Sequence, residues 1–317
     1  MKAAVVSSFD TAPRYEDFDL PVPVGEDEIV VDVVAAGLHP RVRSQANGSH
    51  YTSTDELPLV PGIDGVGRDA GGRLRYFVLP DTTVGSMAER TVIDARRSIV
   101  LPDGTDPVAV AAAMNPAMSS WLALRRRTSF AAGSNVLILG ATGSAGQLAV
   151  QVARHLGAAR IVAAGRNAER LAGLPALGAT DTVHIDGDAG RLGAVAADVD
   201  VVIDYLWGEP AAQALTALVT GRADRGRPLT WIQIGSVAGP TAAIPSAALR
   251  ASRTQIVGSG QGSVGTREIL TELPALAQAI SEHTFTIDAQ PVALADVEQA
   301  WADAAGSRRR IVITPTA

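Results

Sequence analysis

Val136-Leu-Ile-Leu-Gly-Ala-Thr-Gly-Ser-Ala-Gly146 passes from an apolar strand pattern through a glycine-rich turn into a helix pattern. α/β proteins hold a dinucleotide pyrophosphate in this way. Gly143 lets the backbone come close to a phosphate, and Gly146 lets the new helix pack against its strand. The helix N-terminus adds unpaired N–H groups and a partial positive charge. Ala141 stands where the common pattern has its first glycine. Ala141, Thr142, Gly143, Ser144, Ala145 and Gly146 together form the expected phosphate cradle. A glycine turn alone discriminates poorly, so its surroundings decide.

Those surroundings alternate between the two element types. Leu148, Val152 and Leu156 share a stripe that predicts a helix over 147–156, and Arg160-Ile-Val-Ala-Ala-Gly165 reads as a second buried strand. Further along, helices are expected over 167–174 and 210–220, and strands over 182–185, 199–204 and 229–235. This alternation predicts a doubly wound parallel sheet. At the end of the second strand an NAD site places Asp or Glu against the ribose 2′-hydroxyl, whereas an NADP site offers Arg to the 2′-phosphate. Here the chain reads Gly165-Arg166-Asn167, with Arg170 one turn later. Arg166 suits a bidentate contact with phosphate and Asn167 a supporting hydrogen bond, so NADPH is the expected cofactor. The competing reading makes Arg166 one solvated residue among 27 lysines and arginines.

The 317 residues are 47% hydrophobic and 19% charged, enough for a large core and two domains. No apolar run is long enough for a membrane span, and the opening Met1-Lys-Ala-Ala-Val-Val reads as a strand, so a cytoplasmic location is expected. The absence of cysteine excludes disulfides, thiolate nucleophiles and cysteine zinc sites. A net charge of −6 argues against nucleic acid as a partner. Lys2 is the only lysine and lies in the first strand pattern, which disfavours Schiff-base chemistry.

Residues 1–113 hold short strand patterns broken by Pro and Gly turns. Ala35-Ala-Gly-Leu-His-Pro40, Pro58-Leu-Val-Pro-Gly-Ile-Asp-Gly65, Gly85-Ser-Met-Ala-Glu89, the turn at 141–146 and Leu177-Gly-Ala-Thr180 follow one another along the chain. In order and spacing these motifs resemble the medium-chain dehydrogenase/reductase superfamily, most of all its quinone oxidoreductase branch. The resemblance implies an α/β architecture in which a Rossmann domain with a doubly wound parallel sheet is inserted into a β-rich, GroES-like catalytic domain. The corresponding segments are 1–113 for the catalytic domain, 114–245 for the Rossmann core, and 246–317 for the last Rossmann strand and helix and the return. It also implies a homodimer, with Thr254–Gly258 as a pairing edge.

Zinc-dependent relatives supply metal ligands from Gly-x-Cys and Gly-His-Glu motifs, and the matching positions here are Gly37-Leu38-His39 and Gly62-Ile63-Asp64. Ile63 cannot ligate, and His39 with Asp64 leaves a catalytic zinc short of a third ligand, so no metal is expected. The expected chemistry is then hydride transfer to an electron-poor small molecule, a quinone or an α,β-unsaturated carbonyl, with the protein orienting the acceptor and donating to its oxygen. The resemblance supplies two catalytic candidates. Tyr51 resembles the pocket tyrosine of zinc-free relatives, and His39 stands where quinone reductases often carry Asn; a surface tyrosine and a packed histidine are the alternatives. Met114-Asn-Pro-Ala-Met-Ser-Ser120 resembles the Asn-Pro-x-Thr-Ala stretch of enoyl thioester reductases, with Pro116 expected to lead the chain into a helix and Ser119 to touch the nicotinamide. Gly235 and Ser236 follow a strand and are further cofactor candidates. Three functions stay open: an NADPH-dependent reductase of quinones or activated alkenes, an enoyl thioester reductase, and a cofactor-binding sensor or structural protein without turnover.

Overall fold

The computed structural model describes residues 1–50, 52–185, 189–260, 262–307 and 309–315. The chain divides into two compact units, one of Met1–Asn115 with Leu270–Ala317 and the other of Pro116–Ile269. It opens with β1 (Lys2–Val5), β2 (Arg14–Asp17), β3 (Glu28–Gly37), α1 (Pro40–Ala46), β4 (Asp64–Arg68), β5 (Leu74–Val78), β6 (Arg90–Asp94) and β7 (Ser98–Val100), then enters α2 (Pro107–Arg126). The second unit continues with β8 (Asn135–Leu139), α3 (Ser144–His155), β9 (Arg160–Gly165), α4 (Ala168–Leu177), β10 (Asp181–His184), α5 (Ala189–Val195), β11 (Val201–Asp204), α6 (Gly208–Gly221), β12 (Leu229–Gln233), α7 (Ser246–Arg250) and β13 (Thr254–Gly258). After α8 (Thr266–Ser281), the first unit is completed by β14 (Ala289–Ala293), α9 (Val297–Asp303) and β15 (Arg310–Thr314).

In the second unit the strands lie in the order β10-β9-β8-β11-β12-β13, and each pairing is parallel. β8 and β11 are buried almost throughout because a parallel sheet is covered on both faces, which is why they read as continuous apolar runs rather than alternating ones. The chain steps outward from β8 to β9 and β10, then returns to β11 on the other side of β8. The carboxyl ends of β8 and β11 therefore flank the switch point at which such sheets take ligands.

The first unit pairs β14-β15-β3-β4-β5-β7 in one sheet, with β6 also on β3, and β1 with β2 separately. Two of the sequence motifs pack on each other here. A Cβ on Gly62, whose φ is +116°, would stand 2.3 Å from the Ser86 hydroxyl oxygen, and one on Gly85 would stand 2.5 Å from the carbonyl oxygens of Val60 and Pro61. Both positions need glycine, and their contact fixes the start of β4.

One expectation is corrected and one helix was not foreseen. Pro116 does not lead the chain into a helix but lies inside α2, which begins at Pro107, where a missing N–H costs nothing. The alanine-rich run carries the helix through Pro116. α5 lies in a stretch for which no element was expected. Gly193 allows close helix packing, since a Cβ there would meet the Ala217 carbonyl oxygen at 2.6 Å.

Candidate functional site

The second unit forms a glycine turn at the end of β8 whose geometry can cradle a nucleotide phosphate. Gly140 takes a left-handed φ of +85°, and its N–H and that of Ala141 both donate to the Ala164 carbonyl at 2.9 Å, tying the turn to β9. The tight turn thus uses Gly140, which explains why a buried Ala141 is tolerated in the usual glycine position. Gly143 caps α3 without a side-chain hydrogen bond, so the first N–H groups of the helix are left for an anion or water. A Cβ on Gly146 would fall 2.3 Å from the Gly140 carbonyl oxygen and 2.6 Å from Ala141 Cα, so only glycine lets α3 start this close to its strand. A Cβ on Gly165 would meet Thr142 Cγ2 at 2.7 Å.

At the end of β9, Arg166 is exposed and its side chain makes no hydrogen bond or ion pair among the described residues. Its carbonyl accepts from His184 Nε2 at 2.7 Å, an anchor that the sequence did not reveal. Asn167 Oδ1 accepts from the Arg170 N–H at 2.9 Å and caps α4, leaving only its amide nitrogen for a ligand. Arg170 Nη1 donates to the Thr142 carbonyl at 3.1 Å, which braces the glycine turn. The three residues therefore divide the work: Arg166 is available to a phosphate, while Asn167 and Arg170 shape the cradle. An uncapped helix start, a glycine surface without room for Cβ and an exposed guanidinium fit NADPH.

On the other side of β8, β11 ends at Asp204, whose buried carboxylate organises the loop that follows. Oδ1 accepts from the N–H groups of Leu206 and Trp207 at 2.8 and 3.0 Å, and Oδ2 accepts from Trp231 Nε1 at 3.0 Å. Burial raises the Asp204 pKa, against the lowering effect of these donors. The loop is strained, for Trp207 has φ 53° and ψ −159°. It holds Tyr205, whose hydroxyl lies 2.8 Å from Ser119 Oγ. Ser119 Oγ donates to the Pro116 carbonyl at 2.7 Å, so the phenol is the donor in the Tyr205–Ser119 bond. Burial pushes the phenol pKa up to about 12. Gly235 serves this loop too, since a Cβ there would lie 2.8 Å from the Tyr205 carbonyl oxygen, while Ser236 is exposed. Sequence reasoning missed Tyr205; its only signal is its place directly after a buried strand.

The first unit contains a separate polar cluster. His39, at the start of α1, is 4% exposed, Asp64 1% and Tyr76 0%. His39 Nε2 lies 3.2 Å from Asp64 Oδ1, the Tyr76 hydroxyl donates to Asp64 Oδ2 at 2.7 Å, and Ser86 Oγ donates to the Asp64 carbonyl at 2.6 Å. A carboxylate can only accept, so Nε2 carries the hydrogen and Nδ1 is the lone-pair nitrogen. Burial lowers the His39 pKa and the Asp64 hydrogen bond raises it, with Arg310 and Arg41 adding smaller lowering effects. Burial and Asp64 together raise the Tyr76 pKa far above its ordinary value. Tyr51 lies outside the described residues. Its neighbour His50 accepts at Nδ1 from the Thr52 N–H at 3.2 Å.

A family model described as zinc-binding dehydrogenase matches residues 145–279. A probable NADPH-dependent quinone reductase of Emericella nidulans is 29% identical over 99% of this chain and 100% of its own. An NADPH-dependent alkenal/one oxidoreductase of Arabidopsis thaliana, a chloroplastic protein, is 30% identical over 56% of this chain and 51% of its own. Among solved structures, the quinone oxidoreductase of Thermus thermophilus, also solved in complex with NADPH, aligns with a TM-score of 0.79 and 27% identity, covering 99% of this chain and 100% of that one.

The zinc suggested by the family description does not fit the residues present. Ile63, at the second ligand position, is packed in an apolar core with Leu59, Val60 and Met87. His39 and Asp64 are committed to each other and to Tyr76, and no group of three or more His, Cys, Asp or Glu suited to a metal occurs among the described residues.

Proposed function

The chain belongs to the medium-chain dehydrogenase/reductase superfamily, in its quinone oxidoreductase-like branch, and on that premise we propose that it transfers hydride from NADPH to a quinone or an activated alkene without zinc. The observation that carries this reading is the pairing of the Gly143–Gly146 cradle with the exposed Arg166 at the end of β9, where the strand is followed by Arg166-Asn167 and not by Asp or Glu. The names of the Emericella and Arabidopsis relatives support the two acceptor classes. NADPH, when bound, supplies the hydride. The N-terminus of α3 holds its pyrophosphate, Arg166 its 2′-phosphate, and Tyr205 with Ser119 lies on the β11 side, towards which the second half of a dinucleotide extends. Tyr51 and His39 are the proposed hydrogen-bonding groups for the acceptor oxygen. We take the molecule to be a homodimer through β13, which among the described residues pairs only with β12 and leaves its other edge for a second copy.

The test is purified protein mixed with NADPH and menadione, methyl vinyl ketone or a crotonyl thioester, followed by cofactor absorbance. Consumption with the first two supports the proposal, and consumption with the thioester alone would favour an enoyl thioester reductase. Tight NADPH binding without any consumption would leave a cofactor-binding protein and sink the enzymatic reading.

A further inference from the structure

We propose that Asp64 and Tyr76 are positioning residues that hold His39 as the proton carrier for the reduced acceptor, so that a His–Asp pair occupies the sequence positions from which zinc-dependent relatives bind their metal. The inference rests on the reductase reading above and adds a defined tautomer and a defined atom to it. Asp64 Oδ1 holds His39 Nε2, and Tyr76 locks the other carboxylate oxygen. Ser86 holds the Asp64 backbone through its carbonyl. The carboxylate therefore cannot turn away, and the imidazole keeps one orientation. His39 makes no side-chain cap to α1, and its Nδ1 has no partner among the described residues. In an imidazole fixed by a carboxylate at one nitrogen, the other nitrogen does the proton transfer.

The charged groups around the ring come from three elements. Asp64 on β4 favours the imidazolium, while Arg41 on α1 and Arg310 on β15 oppose it. Tyr76 on β5 stays neutral and acts only through Asp64. A ring balanced in this way holds a second proton weakly, which makes it an effective donor once it is charged.

When hydride adds at carbon, the π pair of the acceptor moves to its oxygen. The Nδ1–H bond of the charged His39 then breaks, its electron pair stays on nitrogen, and the proton joins that oxygen. His39 is left neutral with Nε2–H still on Asp64, and it takes its next proton from water. Each turnover consumes one solvent proton.

The experiment combines ¹⁵N NMR of histidine-labelled protein with steady-state kinetics on menadione and methyl vinyl ketone, for the wild type, Asp64→Asn and Tyr76→Phe. The wild type should show His39 protonated at Nε2 and a kcat that rises as pH falls through the midpoint of that ring. Asp64→Asn should mix the tautomers, move the midpoint down and lower kcat on the order of 100-fold, with KM changed by less than about twofold and NADPH affinity unchanged. Tyr76→Phe should act in the same direction with a smaller effect, and it serves alone if Asp64→Asn does not fold. A purely structural role would lower thermal stability without moving the midpoint, and that result would overturn the proposal, as would a wild-type proton on Nδ1. If the wild type shows the expected tautomer but oxidises NADPH with neither acceptor, the reductase reading falls first and this one with it.

Discussion

Replacing Arg166 by Ala separates the cofactor reading from its competitor, because the neighbouring arginine provides an internal control. Arg166 is exposed and its side chain is not engaged elsewhere among the described residues, whereas Arg170 braces the glycine turn through Thr142. A hydrogen bond to a charged group contributes about 1.5–3 kcal/mol, which corresponds to roughly 10- to 100-fold in Kd. Exposure and salt screening place Arg166 near the low end. Arg166→Ala should therefore weaken NADPH about tenfold and NADH by less than about twofold. Arg170→Ala should weaken both cofactors alike, since the turn it braces serves the pyrophosphate that they share. Calorimetric or fluorescence titration at low and high salt reads both effects, and the NADPH preference of the wild type should shrink as salt rises. Equal losses of NADPH and NADH in Arg166→Ala would refute the 2′-phosphate assignment.

Three other perturbations follow from the same geometry. Gly146→Ala drives a Cβ into the Gly140 carbonyl, so it should lower the melting temperature and weaken NADPH more than about tenfold; wild-type affinity in that variant would show that the cradle does not hold the cofactor. Tyr205→Phe removes the bond to Ser119, at a cost of about 1 kcal/mol in stability, and should weaken intact NADPH while leaving its adenosine bisphosphate fragment unaffected. Comparable losses for both ligands would place Tyr205 away from the nicotinamide half. Stability should also fall in mild acid. His39 has a folded pKa below its ordinary 6.5, so between the two values the unfolded chain binds the additional proton. Its contribution is then complete above pH 6.5 and is lost as pH falls through that window. Asp94 and Asp181, with pKa values depressed by Arg96 and Arg160, act only below about 3.8. The melting temperature of His39→Asn should accordingly fall less steeply than that of the wild type as pH drops from 6.5 towards 3.8, and an unchanged slope would remove His39 as its cause.

The parts of the fold that could be read in advance are those that depend on local rules. β9 has the expected bounds because it is a buried, densely apolar run ending at a glycine, and β13 has the expected bounds Thr254–Gly258 although it is a half-exposed edge strand. The glycine turn was legible because its steric requirements fall within eleven consecutive residues. α5 was not legible, since Gly193 answers to Ala217 on another helix. Asp64, Tyr76 and Ser86 could not be joined to His39 either, because their hydrogen bonds connect β4, β5 and the Gly85 motif across separations of up to 25 residues. The same holds for Tyr205 and Ser119, which are 86 residues apart. Residue type and spacing thus located the glycine turn and the helix start that follows it. The side-chain partners that tune them are tertiary facts.

The His39 cluster shows why burial and reactivity need not conflict. A neutral imidazole in an apolar setting stabilises the fold at neutral pH, because only the unfolded chain gains by protonation as pH falls. The same burial makes the imidazolium a stronger acid, and so a better donor to an oxygen that has just gained negative charge. Asp64 limits both effects by favouring the cation, and Tyr76 prevents the carboxylate from moving off the ring. Removing the Asp64 charge should therefore separate properties that the wild type couples: a lower ring pKa reduces the fraction of His39 able to donate, and a freed tautomer misdirects the protons that remain. A mere packing role predicts loss of stability alone. The pH dependence of turnover, rather than its magnitude at any one pH, is thus the quantity that distinguishes a proton carrier from a buried histidine.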